Sequence, residues 1–253
     1  MKGIDVSTLQ GVIDWQTAGE SIDFAMIKAT QGRGEGAATR LLPKFTDSKF
    51  KRNIQNCGCP RGVYHYFTAR DKSTAKAEAD YFCAIVEPYR KNITLWAALD
   101  VESFYLSGLG RTELTAVVRT ALDHIKACGF KPMLYTNPNF LKFRFESGAF
   151  DDTDIWLAHW RVKTPYSVPR MKIWQYGTAA VPGISGKVDA DIGYFDENPT
   201  RVWKVGDAYT LSAGDTYTTG QAVPKAYWGK TYTVWQVKPG AVLLKEIVSW
   251  VEV

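Results

Sequence analysis

Short apolar runs closed by polar residues recur through the first 195 positions. They are Gly3–Ser7, Phe24–Thr30, Gly62–Phe67, Leu95–Glu102, Lys131–Thr136, Asp154–Trp160, Lys172–Tyr176 and Val188–Ile192. Near-continuous apolar runs suit strands buried on both faces of a parallel sheet. Between the early runs lie segments of helical character. Gln10–Trp15 reads as a loop and helix entry, Phe45–Asn56 as a polar helix, and Ala75–Val86 and Thr112–Cys128 as amphipathic helices. Strands alternate with helices at first and then crowd together. This rhythm predicts an irregular parallel β/α barrel, TIM-like, with five β/α units plus three further strands.

After Phe195 the pattern changes. Asp196–Thr200 is polar and turn-rich, a linker. Short alternating segments follow at Ala208–Leu211, Gln221–Val223, Thr231–Val237, Ala241–Leu244 and Ile247–Val251, punctuated by Gly206, Gly214, Gly220, Gly229 and Gly240. They predict a small C-terminal all-β barrel domain. The expected domains are 1–197 and 203–253. The second carries five lysines (204, 225, 230, 238, 245) against four acids (207, 215, 246, 252), so charge alone does not select its ligand.

The run Leu95–Glu102 stops on two carboxylates. Side chains alternate along a strand, so Asp100 and Glu102 share a face, with Cα atoms roughly 6.6 Å apart. Mutual repulsion and partial burial hold one of them protonated near neutral pH. A protonated carboxylic acid beside an ionised one can cleave a glycosidic bond. The competing reading is a strand end entering a solvated acidic loop. Asp5 faces opposite to Ile4 and Val6, and is either a structural hydrogen-bonding group or a site residue. On the third strand Tyr64 and Tyr66 share one face and His65 takes the other, where a packed, hydrogen-bonded role suits the histidine. Barrel sites form at the carboxyl ends of strands. Asp5, Tyr64, Asp100, Glu102, Tyr135, Trp160, Gln175 and Asp189 collect there.

Composition narrows the choices. Hydrophobic residues at 45% and charged residues at 23% are ordinary for a globular protein, while 13% aromatics with nine Trp are high. The net charge of +5 favours an anionic polymer such as a bacterial wall, and no Lys/Arg cluster points to nucleic acid. No apolar run is long enough for a membrane span, and Met1–Val6 lacks a signal-peptide pattern. Cys57, Cys59, Cys83 and Cys128 lack paired zinc spacing and are expected to be free thiols made in a reducing compartment. The loop Gln31–Gly36 lacks the Gly-Lys-Ser/Thr of a phosphate loop.

Six segments in order carry a family resemblance: Gly3–Ser7, Gln10-Gly11 with Ile13–Trp15, Gly62–Tyr66, Leu99–Glu102, Ile173–Tyr176 and Gly183–Asp189. Together they resemble glycoside hydrolase family 25, the Chalaropsis-type lysozymes common among bacteriophage endolysins. The resemblance implies a β/α barrel that cleaves the β-1,4 bond between N-acetylmuramic acid and N-acetylglucosamine in peptidoglycan, without a metal or cofactor. It implies Glu102 as general acid, Asp100 as the acid beside it, and Asp5 and Asp189 as flanking carboxylates. Tyr64, Tyr135, Trp160, Gln175 and Asp191 are the expected substrate contacts. Two departures stand out: Asp191 replaces the usual Asn, and Trp160 a frequent Tyr. The tail resembles bacterial Src-homology-3-like wall-binding modules, chiefly at Leu243–Ile247 before Ser249–Val251, which implies a cell-wall ligand. The expected setting is the host bacterial cytoplasm until release to the wall. Alternatives are a chitinase-like endo-N-acetylglucosaminidase, a non-catalytic wall-binding protein, and a metal-dependent deacetylase using His65 and the acids.

Overall fold

The structure, a computed structural model, describes residues 1–32, 45–195, 203–211, 215–238 and 241–252. The linker 196–200, the loop positions 33–36, Gly214 and Gly240 lie outside the described residues. The chain divides into two compact units, Met1–Phe195 and Asp196–Val253. Among the described residues no helix is long and apolar enough to cross a membrane.

The first unit is a closed eight-stranded barrel. Its strands are β1 (Lys2–Val6), β2 (Phe24–Gln31), β4 (Arg61–Tyr66), β5 (Ala97–Asp100), β6 (Pro132–Thr136), β7 (Asp154–Ala158), β8 (Met171–Ala180) and β9 (Lys187–Gly193). The order runs β1-β2-β4-β5-β6-β7-β8-β9, and pairing of β9 with β1 closes the ring. Neighbours from β1 through β8 are parallel, whereas β9 is antiparallel to both β8 and β1. This corrects the all-parallel expectation. The turn from Val181 to Gly186 is too short for a crossover, so β8 and β9 form a hairpin. A second correction concerns Phe45–Asn56. Its first two residues form β3 (Phe45–Thr46), which adds to β2, and the helix starts only at Phe50.

Among the described residues four α-helices pack outside: α1 (Trp15–Gly19), α2 (Phe50–Asn56), α3 (Lys72–Val86) and α4 (Arg111–Ala127). After β6 the fifth β/α unit holds a π-helical turn, Phe140–Arg144, in place of an α-helix. Asp71 starts α3 with a capping box, accepting from the Thr74 amide at 2.9 Å. Alternation sorts the strand residues into two cores. Ile4, Val6, Ala25, Ile27, Val63, Leu99, Leu134, Ile155 and Leu157 face the helices. Phe24, Met26, Tyr64, Ala98, Met133, Tyr135, Trp156 and Ile173 fill the barrel. The barrel floor packs tightly. A Cβ on Gly3 would sit 2.1 Å from the Phe24 ring, so only glycine fits beneath it. Phe195 packs edge-on against Phe24 and Trp96, with ring centroids 5.2 and 4.8 Å apart.

The second unit holds an antiparallel sheet of β10 (Ala208–Thr210), β11 (Thr231–Lys238), β12 (Ala241–Leu244) and β13 (Ser249–Glu252). Its core includes Tyr209, Leu211, Tyr232, Val234, Val242, Leu244 and Val251. The expected strand Gln221–Val223 is reduced to a bridge between Thr216 and Ala222, and a second bridge joins Tyr217 to Val251. Among the described residues the sheet runs β10-β11-β12-β13, and the two bridges extend it beyond those strands.

Candidate active site

A cavity of about 200 Å³ opens at the carboxyl ends of the parallel strands. It is lined by Asp5 of β1, Lys28 of β2, Tyr64 and Tyr66 of β4, Asp100 of β5, Tyr135 of β6, Trp156 of β7, Gln175 of β8 and Asp189 of β9, with Glu102 just beyond β5. The strand run predicted through Glu102 ends in pairing at Asp100. Val101 is still fixed, donating to the Tyr135 carbonyl at 2.9 Å and accepting from Thr136 Oγ1 at 3.0 Å. Glu102 is therefore held at the mouth, exposed, while Asp100 stays buried below it.

Gln175 organises the buried polar groups. Its Nε2 donates to Asp5 Oδ2 at 2.8 Å, and its Oε1 accepts from Tyr135 OH at 3.0 Å and from Trp160 Nε1 at 2.8 Å. Tyr135 OH also lies 3.5 Å from Glu102 Oε2. Trp160 stands on the rim, 42% exposed, with its indole oriented by Gln175.

Several acids in so small a volume are costly to ionise. Burial, reinforced by the Asp189 charge, pushes the Asp5 carboxyl up to about 8. Burial and the Glu102 charge hold Asp100 well above the usual carboxylate range. Glu102 is raised by the desolvating pocket wall and by Asp189, against the lowering hydrogen bond from Tyr135. Burial raises Asp189 as well. Lys28 is lowered by burial but lies close enough to Asp100 and Glu102 to favour their ionised forms. The arrangement supplies a proton at the mouth over a floor of acids held back from full ionisation.

Residues 4–184 match the family described as Glycosyl hydrolases family 25. The chain belongs to that family. It is 32% identical over 205 residues to Lysozyme M1 of Streptomyces globisporus, which covers 75% of this chain and 66% of that protein. It is 30% identical over 196 residues to the Autolytic lysozyme of Clostridium acetobutylicum, covering 76% and 55%. The chain thus spans between about half and two thirds of these relatives' length. The structure of the bacterial lysozyme from Streptomyces coelicolor superposes with a TM-score of 0.58 at 26% identity, over 77% of this chain and 92% of that one.

Within this family-25 barrel, Asp5, Tyr64, Asp100, Glu102, Tyr135, Gln175 and Asp189 meet in one cavity, with Trp160 on its rim. Asp191 does not join them. It is 1% exposed, accepts from Trp156 Nε1 at 2.8 Å, and its Oδ2 is buried without a hydrogen-bond partner. Because β9 runs downward, Asp189 pairs with Asp5 near the mouth and Asp191 with Gly3 near the floor. Asp191 therefore cannot touch substrate as expected. Burial and the Asp5 charge hold it well above the ordinary carboxylate range.

His65 faces away from the cavity. It joins Thr30 Oγ1 at 2.8 Å and Glu78 Oε2 at 2.9 Å, and Glu78 in turn accepts from Thr68. This buried network fixes β2, β4 and α3. Among the described residues no group of three or more His, Cys, Asp or Glu is placed to hold a metal. Lys28 and Trp156 were missed from the sequence. Period-two counting from Phe24 and Met26 puts Lys28 inside, and counting between Ile155 and Leu157 puts Trp156 inside.

Proposed function

We propose that the first unit is an N-acetylmuramidase. It would hydrolyse the β-1,4 bond between N-acetylmuramic acid and N-acetylglucosamine in bacterial peptidoglycan. The observation that carries this reading is Glu102, exposed at the mouth with a raised affinity for its proton directly beyond the buried Asp100. Glu102 protonates the leaving glycosidic oxygen. Asp100, sharing the strand end, orients the 2-acetamido group of the sugar that is attacked and stabilises the charge that develops on it. Asp189 supplies negative potential beneath the oxocarbenium-like centre, and Asp5, which burial keeps protonated, accepts from Gln175 and holds it in place. Tyr135 and Gln175 keep these groups in register.

We further propose that the second unit tethers the enzyme to a cell-wall ligand, which raises its effective concentration at an insoluble substrate. Exposed Trp228 and Trp235 support that reading. An endolysin held in the bacterial cytoplasm until it reaches the wall is the setting that suits both units.

Digestion of purified walls tests the activity. New muramic acid reducing ends support it, and new glucosamine reducing ends would assign an endo-N-acetylglucosaminidase instead. Glu102→Gln should lower turnover by about 10²-fold or more while leaving wall binding intact. Cosedimentation of that inactive full chain with walls, with and without Trp228→Ala and Trp235→Ala, tests the tether. Unchanged sedimentation in the double variant removes those two residues from it.

A further inference from the structure

Leu9 and Phe104 are the two most exposed large apolar side chains among the described residues, at 87% and 82%; the next, Val205, is at 69%. Each sits on a one-turn 3-10 helix that follows a site strand, Thr8–Gln10 after β1 and Phe104–Leu106 after β5. Each turn is capped by a buried serine. Ser7 Oγ accepts from the Leu9 amide at 3.2 Å, and Ser103 Oγ from the Tyr105 amide at 3.3 Å.

Both turns are pinned. Gln10 Oε1 accepts from the Ser7 amide at 2.8 Å, and Asp47 Oδ2 from the Thr8 amide at 2.8 Å. Arg70 donates to the Tyr105 carbonyl, and Arg144 to the carbonyls of Leu106 at 2.9 Å and Leu109 at 3.1 Å. Leu106 is fully buried beneath. The backbone of each loop is therefore held in shape while Leu9 and Phe104 are turned to water. With the backbone already ordered, only the two side chains are left to order on binding, which lowers the cost of contact with a partner.

Strands β1 and β5 are separated in the barrel by β2 and β4. Leu9 lines the cavity itself, and Phe104 lies two residues past Glu102 on the loop after β5, so the two loops flank the mouth sector floored by Lys28, Tyr64 and Tyr66. A pyranose ring matches that sector. Its faces carry C–H groups suited to Leu and Phe, and its rim carries hydroxyl and acetamido groups suited to Lys28 and the tyrosines. We propose that Leu9 and Phe104 are jaws that hold one sugar ring of the glycan strand over the β2–β4 sector. They set affinity for the polymer and take no part in the proton transfer. The proposal rests on the reading of the cavity as a glycan site.

The test uses the full chain with Leu9→Ala and Phe104→Ala, singly and together. Titration of a soluble peptidoglycan tetrasaccharide into the Glu102→Gln protein, with and without the jaw substitutions, reads binding without turnover. The double substitution should weaken Kd about tenfold, the scale of one or two ring contacts. With Glu102 intact it should raise KM on walls by a similar factor with kcat within about twofold. The melting temperature should not fall, since neither side chain is packed in the free protein. Phe104→Tyr should keep the parent's Kd. Unchanged Kd in a folded double variant would overturn the proposal, as would a fall in kcat at constant KM. The cleaved linkage, read separately from reducing ends, can prove different from the muramidase reading while the jaws still hold.

Discussion

Replacing Asp5 by Asn should stabilise the barrel, and the gain should grow with pH. Asp5 has an ordinary value of 3.8 and is pushed up to about 8 in the fold. The native state therefore holds the proton more tightly than the unfolded chain does. By linkage, the stability tied to this group is complete below about pH 4 and is lost as pH rises towards 8. The gap corresponds to a ceiling of about 6 kcal/mol above pH 8 and about 4 kcal/mol at pH 7. The cavity opens to solvent, which screens part of this and leaves about 2–4 kcal/mol at neutral pH. Asparagine keeps the shape, and its Oδ1 can accept the bond that Gln175 Nε2 now gives at 2.8 Å. For a chain of this size the melting temperature should rise by about 10 °C at pH 7 and hardly at all at pH 4. Calorimetry across pH 4–8 is the assay. An equal gain at both ends, or a loss at pH 7, would refute the argument that burial and Asp189 keep Asp5 from ionising.

Tyr135→Phe removes the hydroxyl that donates towards Glu102 and lowers its proton affinity. Glu102 should then stay protonated to higher pH, and the alkaline limb of the kcat/KM profile should move upward; a downward move would contradict the assignment. Asp191→Asn should leave wall hydrolysis within about threefold, because Asp191 is sealed on the floor, whereas Asp189→Asn should cost at least about tenfold through lost charge stabilisation. Equal losses in the two variants, measured on the same walls, would return Asp191 to the site.

Much of this was legible because a strand's period of two is a strict rule. Alternation about Asp5, Tyr64 and Asp100 sorted inward from outward residues, and the inward acids marked the mouth. Alternation is blind to strand direction, and that is where the reading of Asp191 failed. Two aspartates two residues apart on β9 share a face whichever way the strand runs, but direction decides which is nearer the solvent. Only the register with Gly3 and Asp5 reveals it. Lys28 was passed over for a different reason: a lysine in an apolar strand resembles an interruption until its neighbours' facing is counted. The extra pairing of Phe45–Thr46 is non-local, and nothing in those two residues announces it. In the tail, glycine spacing marked the strands but not which of them would pair.

The downward run of β9 also decides where the polypeptide leaves the barrel. Had the last strand followed the other seven, the chain would have emerged among the loops that form the mouth. Instead the first unit ends at the barrel's closed end, where Phe195, its last described residue, is wedged against Phe24 and Trp96. Shortening the first unit from this end therefore reaches the barrel's floor before its acids. The wedge sets the limit for such surgery: a cut after Phe195 leaves the barrel stoppered, and a cut before it pulls the stopper and lets water reach the rings beneath.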